Sequence, residues 1–264
     1  MKLLTRADTR LASLLDHRAD EVRIDPSWWS WSGAHGGLAV ALAAAAMQRA
    51  VGDDIALRSV TAQLLAPIDG AARFDADVVR RGRSVVAATG SAVQDGRPRL
   101  SATAVFGRGG RGPAVPPPPA PASPPVDDLE RFAVPLDVLP FAAHTDVRPV
   151  GGSRPFTGGT EAELTAWIRL VDDDRPVDEL RMIVLMDCLA PSIAAVLPAM
   201  AAVPTVELGV HLAPAVRTAT SPWVLVRSRT DLAAGDGWCS ERLDAWAPDG
   251  AHLAGATQLR LVLG

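Results

Sequence analysis

Tyrosine is absent from this sequence, lysine occurs once (Lys2), and cysteine occurs twice (Cys188 and Cys239). Two cysteines make no disulfide framework, and neither stands in a metal-ligand spacing. Both are expected as buried, reduced thiols. The missing tyrosine and the single lysine, set against 25 arginines and abundant alanine, read as genomic composition bias rather than mechanism. The net charge of −4 brings no basic stripe, which argues against a nucleic-acid partner. The longest apolar run, Gly36 to Met47, is well short of the ~20 residues that a membrane span needs. Charge also arrives too early in Met1-Lys2-Leu3-Leu4-Thr5-Arg6-Ala7-Asp8 for a secretory signal, so a cytoplasmic location is expected. What remains is the composition of an ordinary globular protein, 48% hydrophobic and 21% charged. Its 264 residues suit one large domain or two of about 130 residues, either able to bury a core.

The sequence instead contains a repeat. Residues 35–107 run as a Gly-Gly-led apolar helix, a strand ending in Leu65-Ala66-Pro67, and further strand-like segments, the last two flanking Asp95-Gly96. Residues 178–263 follow the same order, with a strand ending in Leu212-Ala213-Pro214 and strands flanking Asp249-Gly250. A repeat of this length implies two copies of one helix-then-sheet unit, so that one half can keep a chemistry while the other drifts.

Within each unit the elements are legible. Residues 3–17 read as a short amphipathic helix and Glu21 to Ile24 as a strand. Leu38 to Val51 is almost pure Ala, Leu and Val, a helix-favouring stretch that is apolar nearly all round and must therefore be buried. Ala72, Phe74, Ala76 and Val78 alternate with polar residues, the signature of a half-buried strand, and Asp95-Gly96 marks a tight hairpin. Strands over 58–66, 84–94 and 99–106 complete the first half. In the second half a strand over 161–171 precedes an apolar helix over 179–197, which Pro191 should kink or restart. Strands over 205–212, 223–230, 241–246 and 252–263 follow. Between the halves lies Pro116-Pro117-Pro118-Pro119, with further prolines at 113, 121, 124 and 125. This favours extended polyproline geometry and reads as a spacer. The expected division is an N-terminal unit over 1–107, a linker over 108–135 and a C-terminal unit over 136–264.

One helix followed by consecutive antiparallel strands, twice, is an α+β pattern. It resembles a double hotdog, two helix-wrapped antiparallel sheet halves in one chain. The words Met186-Asp187-Cys188-Leu189-Ala190-Pro191, Pro204-Thr205-Val206-Glu207-Leu208-Gly209-Val210-His211 and Ala256-Thr257-Gln258-Leu259 resemble the second-half motifs of the thioesterase-like superfamily, relatives of acyl-CoA thioesterase II. His35-Gly36-Gly37-Leu38-Ala39 resembles that family's opening of the first hotdog helix. The resemblance implies hydrolysis of an acyl-CoA thioester by an Asp, a hydroxyl residue and a Gln, with neither metal nor cofactor. It carries these roles onto Asp187, Thr205 and Gln258. The hotdog hydratase stretch Asp-x-Asn-Pro-x-His is missing. A non-catalytic acyl-CoA-binding protein and a different hotdog enzyme remain the alternatives.

The residue chemistry agrees with this. A carboxylate, a hydroxyl and an amide converging on one water can orient it and take its proton. No serine lies in a nucleophile elbow, so no covalent intermediate is expected. Asp187 stands in an apolar word, where a charge is costly unless it is used or paired with an arginine. Registering the two Asp-Gly turns sets Gln258 opposite Ala104 and Thr257 opposite Thr103, which predicts one active site per chain, built from the second half. His35, Gly36 and Gly37 are expected at the substrate, with their backbone amides near the thioester carbonyl. His35 also reads as a helix-end hydrogen-bonder. Strand alternation sets 205, 207, 209 and 211 on one face, which would turn His211 toward the site. Trp28, Trp29 and Trp31 read as core or lid packing. Arg80, Arg81 and Arg83 read as a solvated turn, or as contacts for coenzyme A phosphates. Exposed sheet edges would favour a homodimer.

Overall fold

The computed structural model describes residues 10–18, 21–52 and 54–263. It contains α1 (Leu11–Leu15), α2 (Gly36–Val51) and α3 (Glu179–Leu185). The first-half strands are β1 (Glu21–Arg23), β2 (Ala56–Leu64), β3 (Ala71–Arg81), β4 (Val85–Gln94) and β5 (Arg97–Gly107). The second-half strands are β6 (Thr145–Val150), β7 (Glu163–Leu170), β8 (Thr205–Leu212), β9 (Val224–Ala233), β10 (Trp238–Trp246) and β11 (His252–Leu261). Part of the helix expected over 3–17 lies outside the described residues; Leu11–Leu15 is the part that is seen. No helix among the described residues is long and apolar enough to cross a membrane.

All eleven strands form one sheet in the order β1-β3-β4-β5-β2-β8-β11-β10-β9-β7-β6, antiparallel throughout. The halves join where β2 pairs β8, Val60 opposite Val210. Helix α2 packs against α3 and across β3, β4 and β5. Its alanines let the sheet approach closely, and Leu38, Val40, Ala41, Ala43, Ala44 and Met47 are fully buried. This is a double hotdog.

Each half bends its sheet at the same place. Leu57 faces Phe106 while Ser59 faces Val105, leaving Arg58 as the extra residue of a bulge. Thr205 faces Arg260 while Glu207 faces Leu259, leaving Val206 extra. The equivalent bulges register Leu57 with Thr205, Phe106 with Arg260 and Ala104 with Gln258. The last agrees with the Asp-Gly alignment. Ala104 pairs with Ala88 and Gln258 with Glu241, which registers Ala88 with Glu241.

Two segments differ from the sequence expectation. The helix expected over 179–197 stops at Leu185, and residues 186–188 form a turn. Pro191 disfavours helix at Ala190 and offers no donor, so the chain restarts only as a short 3-10 turn over Ser192–Ala195. The proline-rich linker is exposed over residues 108–119, but from Pro118 onward it docks on the outer face of the second half. Trp246 Nε1 donates to the Pro118 carbonyl and Trp167 Nε1 to Ser123 Oγ, both at 2.8 Å. Ala120, Val126 and Leu129 pack on Trp167, Leu225 and Trp246. The linker therefore covers apolar sheet surface besides spanning a gap.

Ahead of α3, Asp173 is buried under two arginines. Arg181 donates to it from Nε at 2.9 Å and from Nη2 at 2.6 Å, and Arg175 from Nε at 2.8 Å. Burial works to raise this carboxyl, but the hydrogen bonds and charges of Arg175 and Arg181 outweigh it and hold the group down at about 2.

Candidate active site

Asp187 sits in the turn that follows α3, and its side chain is only 6% exposed. A carboxylate so placed needs compensation, and five groups surround it. Thr205 Oγ1, at the start of β8, donates to Oδ1 at 2.9 Å. Gln258 Nε2, on β11, donates to the same oxygen at 2.8 Å. Arg260 Nη2 approaches Oδ1 at 3.4 Å. On the other side the Gly37 amide donates to Oδ2 at 2.8 Å, and His35 Nε2 lies 3.6 Å from it. The expected trio of Asp187, Thr205 and Gln258 is thus brought together from three separate elements.

Helix α2 begins against this carboxylate. Its first-turn amides have no intrahelical partners and carry the positive end of the helix dipole, so an anion there is favoured. The contact exists only because positions 36 and 37 lack side chains. A Cβ at Gly37 would lie 2.8 Å from both Asp187 Cβ and the Val184 carbonyl; one at Gly36 would lie 2.8 Å from Asp187 Oδ2.

His35 caps α2. Its Nδ1 accepts from the Leu38 amide at 3.2 Å, so the ring proton is on Nε2, which donates to the Asp187 carbonyl at 3.0 Å. Burial pushes the imidazole below its ordinary range, against the opposing pull of Asp187, so it is neutral at pH 7. With its lone pair engaged by Leu38 and its proton by Asp187, His35 holds helix and turn together. Of the three glycine-motif residues expected at the substrate, Gly37 has its amide on Asp187. Gly36 lines the neighbouring cavity, and its amide has no acceptor among the described residues.

That cavity measures about 700 Å³ and opens beside Asp187. His35, Gly36, Asp187, Thr205 and Arg260 are among its polar lining. Leu64, Pro67 and Leu100 of the first half, Phe132 of the linker, and Phe141 and Leu164 of the second half line much of the rest. It therefore lies between the halves. Gln258 is not on its wall. The amide is 2% exposed and engaged at both ends, Nε2 on Asp187 and Oε1 on Arg260. Gln258 was expected to hold the water directly; it is placed behind the carboxylate instead.

His211 does not face this site. The bulge at Val206 shifts the alternation, so Thr205 shares the inner face with Leu208 and Val210, while His211 is exposed on the other. Trp28 is fully buried, and Trp31 lines the cavity. Arg81 donates to the carbonyls of Ala50 and Val51 and so caps the end of α2. The Cys188 thiol donates to the Val184 carbonyl at 3.2 Å. Burial and the Asp187 charge push it well above the ordinary thiol range, which leaves it a poor nucleophile.

Sequence reasoning missed Arg260, Glu241 and Ser192. Arg260 Nε donates to Glu241 Oε2 at 2.8 Å, and Glu241 Oε1 accepts from Ser192 Oγ at 2.8 Å. The available signal was spacing: Arg260 is two residues past Gln258 on one strand, hence on the same face.

A second cluster has the order of a hydrolytic triad. Ser27 Oγ is 3.0 Å from His144 Nε2, and His144 Nδ1 meets Asp172. His144 also stacks on Trp28, ring centroids 4.0 Å apart. The Ser27 amide is taken by Asp25, and Ser27 is not on the wall of the cavity beside Asp187. The cluster joins the start of the first half to the second.

Residues 25–107 match the family model for the acyl-CoA thioesterase N-terminal domain, and residues 113–262 match that for the acyl-CoA thioesterase C-terminal domain. The chain belongs to the acyl-CoA thioesterase family. Solved structures agree with this thioesterase architecture at the level of fold. A hotdog-fold protein of unknown function from Alicyclobacillus acidocaldarius is 23% identical, with a TM-score of 0.86 over 99% of each chain. A thioesterase II candidate from Thermobifida fusca is 24% identical, with a TM-score of 0.79 over 98% of this chain and 99% of its own. An acyl-CoA thioesterase II from Mycobacterium marinum is 20% identical, with a TM-score of 0.75 over 96% and 98%. No curated protein matches this thioesterase-family chain in sequence.

Proposed function

We propose that the protein hydrolyses an acyl-coenzyme A thioester to the free acid and coenzyme A. One observation carries this reading: a buried carboxylate, Asp187, held by a hydroxyl, an amide and a helix N-terminus, forms part of the wall of a largely apolar cavity. Family membership supplies the substrate class.

In this reading water sits between Asp187 and Thr205. The Thr205 hydroxyl spends its hydrogen on Asp187 Oδ1, so it meets the water as an acceptor. Both water hydrogens then point at protein, and a lone pair points at the thioester carbon. Asp187 takes one proton as the carbon–oxygen bond forms. The developing oxyanion is placed at the Gly36 amide, by the positive end of α2. Collapse of the tetrahedral intermediate breaks the carbon–sulfur bond. Coenzyme A leaves as its thiol, carrying the proton that Asp187 held. The apolar walls take the acyl group. Gln258 fixes the carboxylate from behind.

The test is released thiol, measured over a panel of acyl-CoAs of increasing chain length. The wild-type protein should release it, and Asp187→Asn should lose about 10²- to 10⁴-fold in kcat, the usual contribution of a positioned base. Tight binding of acyl-CoA with no thiol released would instead make this an acyl-binding protein. An unchanged rate in Asp187→Asn would remove the base.

A further inference from the structure

We infer that Arg260 is a positioning residue for this hydrolysis, holding the Gln258 amide so that its nitrogen faces Asp187 and the carboxylate is left with one oxygen free to act. The inference rests on the function proposed above.

A guanidinium has donors and no acceptor. Arg260 directs Nε at Gln258 Oε1, 3.0 Å away, and Nη2 at the same oxygen. Only the amide oxygen can occupy that position. The nitrogen is thereby turned to Asp187 Oδ1, 2.8 Å away, and to the Met186 carbonyl at 3.4 Å. Arg260 is itself clamped. Nε donates to Glu241 and Nη1 to the Val203 carbonyl at 3.3 Å, while Glu241 is held by the Ser192 hydroxyl and by the Ile193 amide at 3.3 Å. Glu241, Arg260 and Gln258 are all at most 4% exposed, so water does not loosen any of these contacts. The outcome is an asymmetric carboxylate. Oδ1 takes Thr205 and Gln258, with Arg260 close by; among the described residues Oδ2 accepts one hydrogen bond, from the Gly37 amide, with His35 Nε2 3.6 Å away.

The first half serves as an internal control. Where the second half has Thr205, Glu241, Gln258 and Arg260, the first has Leu57, Ala88, Ala104 and Phe106, all buried. The hotdog sheet therefore folds with apolar residues in these places. A buried ion pair costs desolvation that an apolar replacement avoids. Of the two sets of registered positions, only the one beside Asp187 carries such a pair, which points to a role there rather than in the fold.

Arg260→Met alone would strand Glu241 as a buried, unpaired charge, so the test uses the paired variant Arg260→Met with Glu241→Gln. A second pair, Arg260→Phe with Glu241→Ala, copies the first half. In each pair kcat should fall about tenfold or more while KM stays within about twofold, because an interaction that only aligns the base affects the chemical step. Gln258→Ala should cost about tenfold in the native background, yet less than about threefold when added to a pair, since residues acting as a unit are not additive. Native kcat in a folded pair, together with a damaging Gln258→Ala, would overturn the inference. So would failure of both pairs to fold, which would make the network structural. Wild-type protein and Asp187→Asn are assayed alongside. An inactive wild type, or an active Asp187→Asn, defeats the proposed function itself and is read separately.

Discussion

Gly37→Ala probes the site through one methyl group. Gly37 has no positive φ, so alanine suits its backbone, and in an open helix the change would stabilise by about 0.5 to 1 kcal/mol. Here the new Cβ would stand 2.8 Å from Asp187 Cβ, 2.8 Å from the Val184 carbonyl and 2.9 Å from His35 Cε1. Carbon pairs sit at roughly 3.5 to 4.0 Å, so the 186–188 turn would have to retreat by about 0.7 Å. That takes the Gly37 amide, now 2.8 Å from Oδ2, beyond hydrogen-bonding range. Overpacking costs about 1 to 3 kcal/mol. A hydrogen bond to a charged group contributes about 1.5 to 3 kcal/mol. Set against the helix gain, the net loss is about 2 to 5 kcal/mol, or roughly 4 to 20 °C in Tm for a chain of this size. A displacement of this order at a catalytic base costs about 10²-fold in rate. Calorimetry and thiol release on one acyl-CoA measure both effects. A Gly37→Ala protein with raised Tm and a rate within twofold of wild type would refute the claim that this glycine admits the carboxylate to the helix end.

Three further outcomes follow from the same structure. Asp173 should make the protein acid-sensitive: its folded carboxyl lies at about 2 against an ordinary 3.8, so its stabilisation is complete above the ordinary value and lost as pH falls from there through 2. Urea unfolding should lose up to about 2 kcal/mol across that window, less any solvent screening, and Asp173→Asn should flatten the loss. Both cysteines should resist a chromogenic disulfide near neutral pH until the protein unfolds. Burial raises Cys188 well above the ordinary thiol range and Cys239 to about 11; rapid native labelling would contradict this. Ala104→Gln places an amide among Leu57, Ala88 and Phe106, and should cost roughly 1 to 3 kcal/mol for an unsatisfied buried group while leaving thiol release unchanged. Unaltered stability would show that the first half can accommodate polarity after all.

Much of this was readable from residue order. The repeated Leu-Ala-Pro and Asp-Gly words located the strands, and the Ala-rich stretch after His35-Gly36-Gly37 located the buried helix. Asp187 stood out because a carboxylate in an apolar word needs a reason. It has an arginine and a cavity wall together, which sequence reasoning offered as alternatives. Periodicity failed where one extra residue changes the phase. Nothing in the letters announces the bulge at Val206, and without it His211 points inward. Arg260 was visible as a residue but not as a partner, because the pairing of β10 with β11 sets Glu241 opposite Gln258 and only the fold supplies that pairing. The linker's docking was hidden for a similar reason. Polyproline geometry describes a segment's stiffness and says nothing of the tryptophans it lies against.

The junction of β2 with β8 has a bearing on how this chain would respond to proteolysis. Each of these strands finds one of its two neighbours in the opposite half, so either half by itself would present a raw, sticky border. A nick in the exposed stretch before Pro118 would cut the covalent thread and leave the particle whole, zipped along that border. A covalent tether raises the effective concentration of one edge at the other, so the matched edges would meet before either could recruit a stranger.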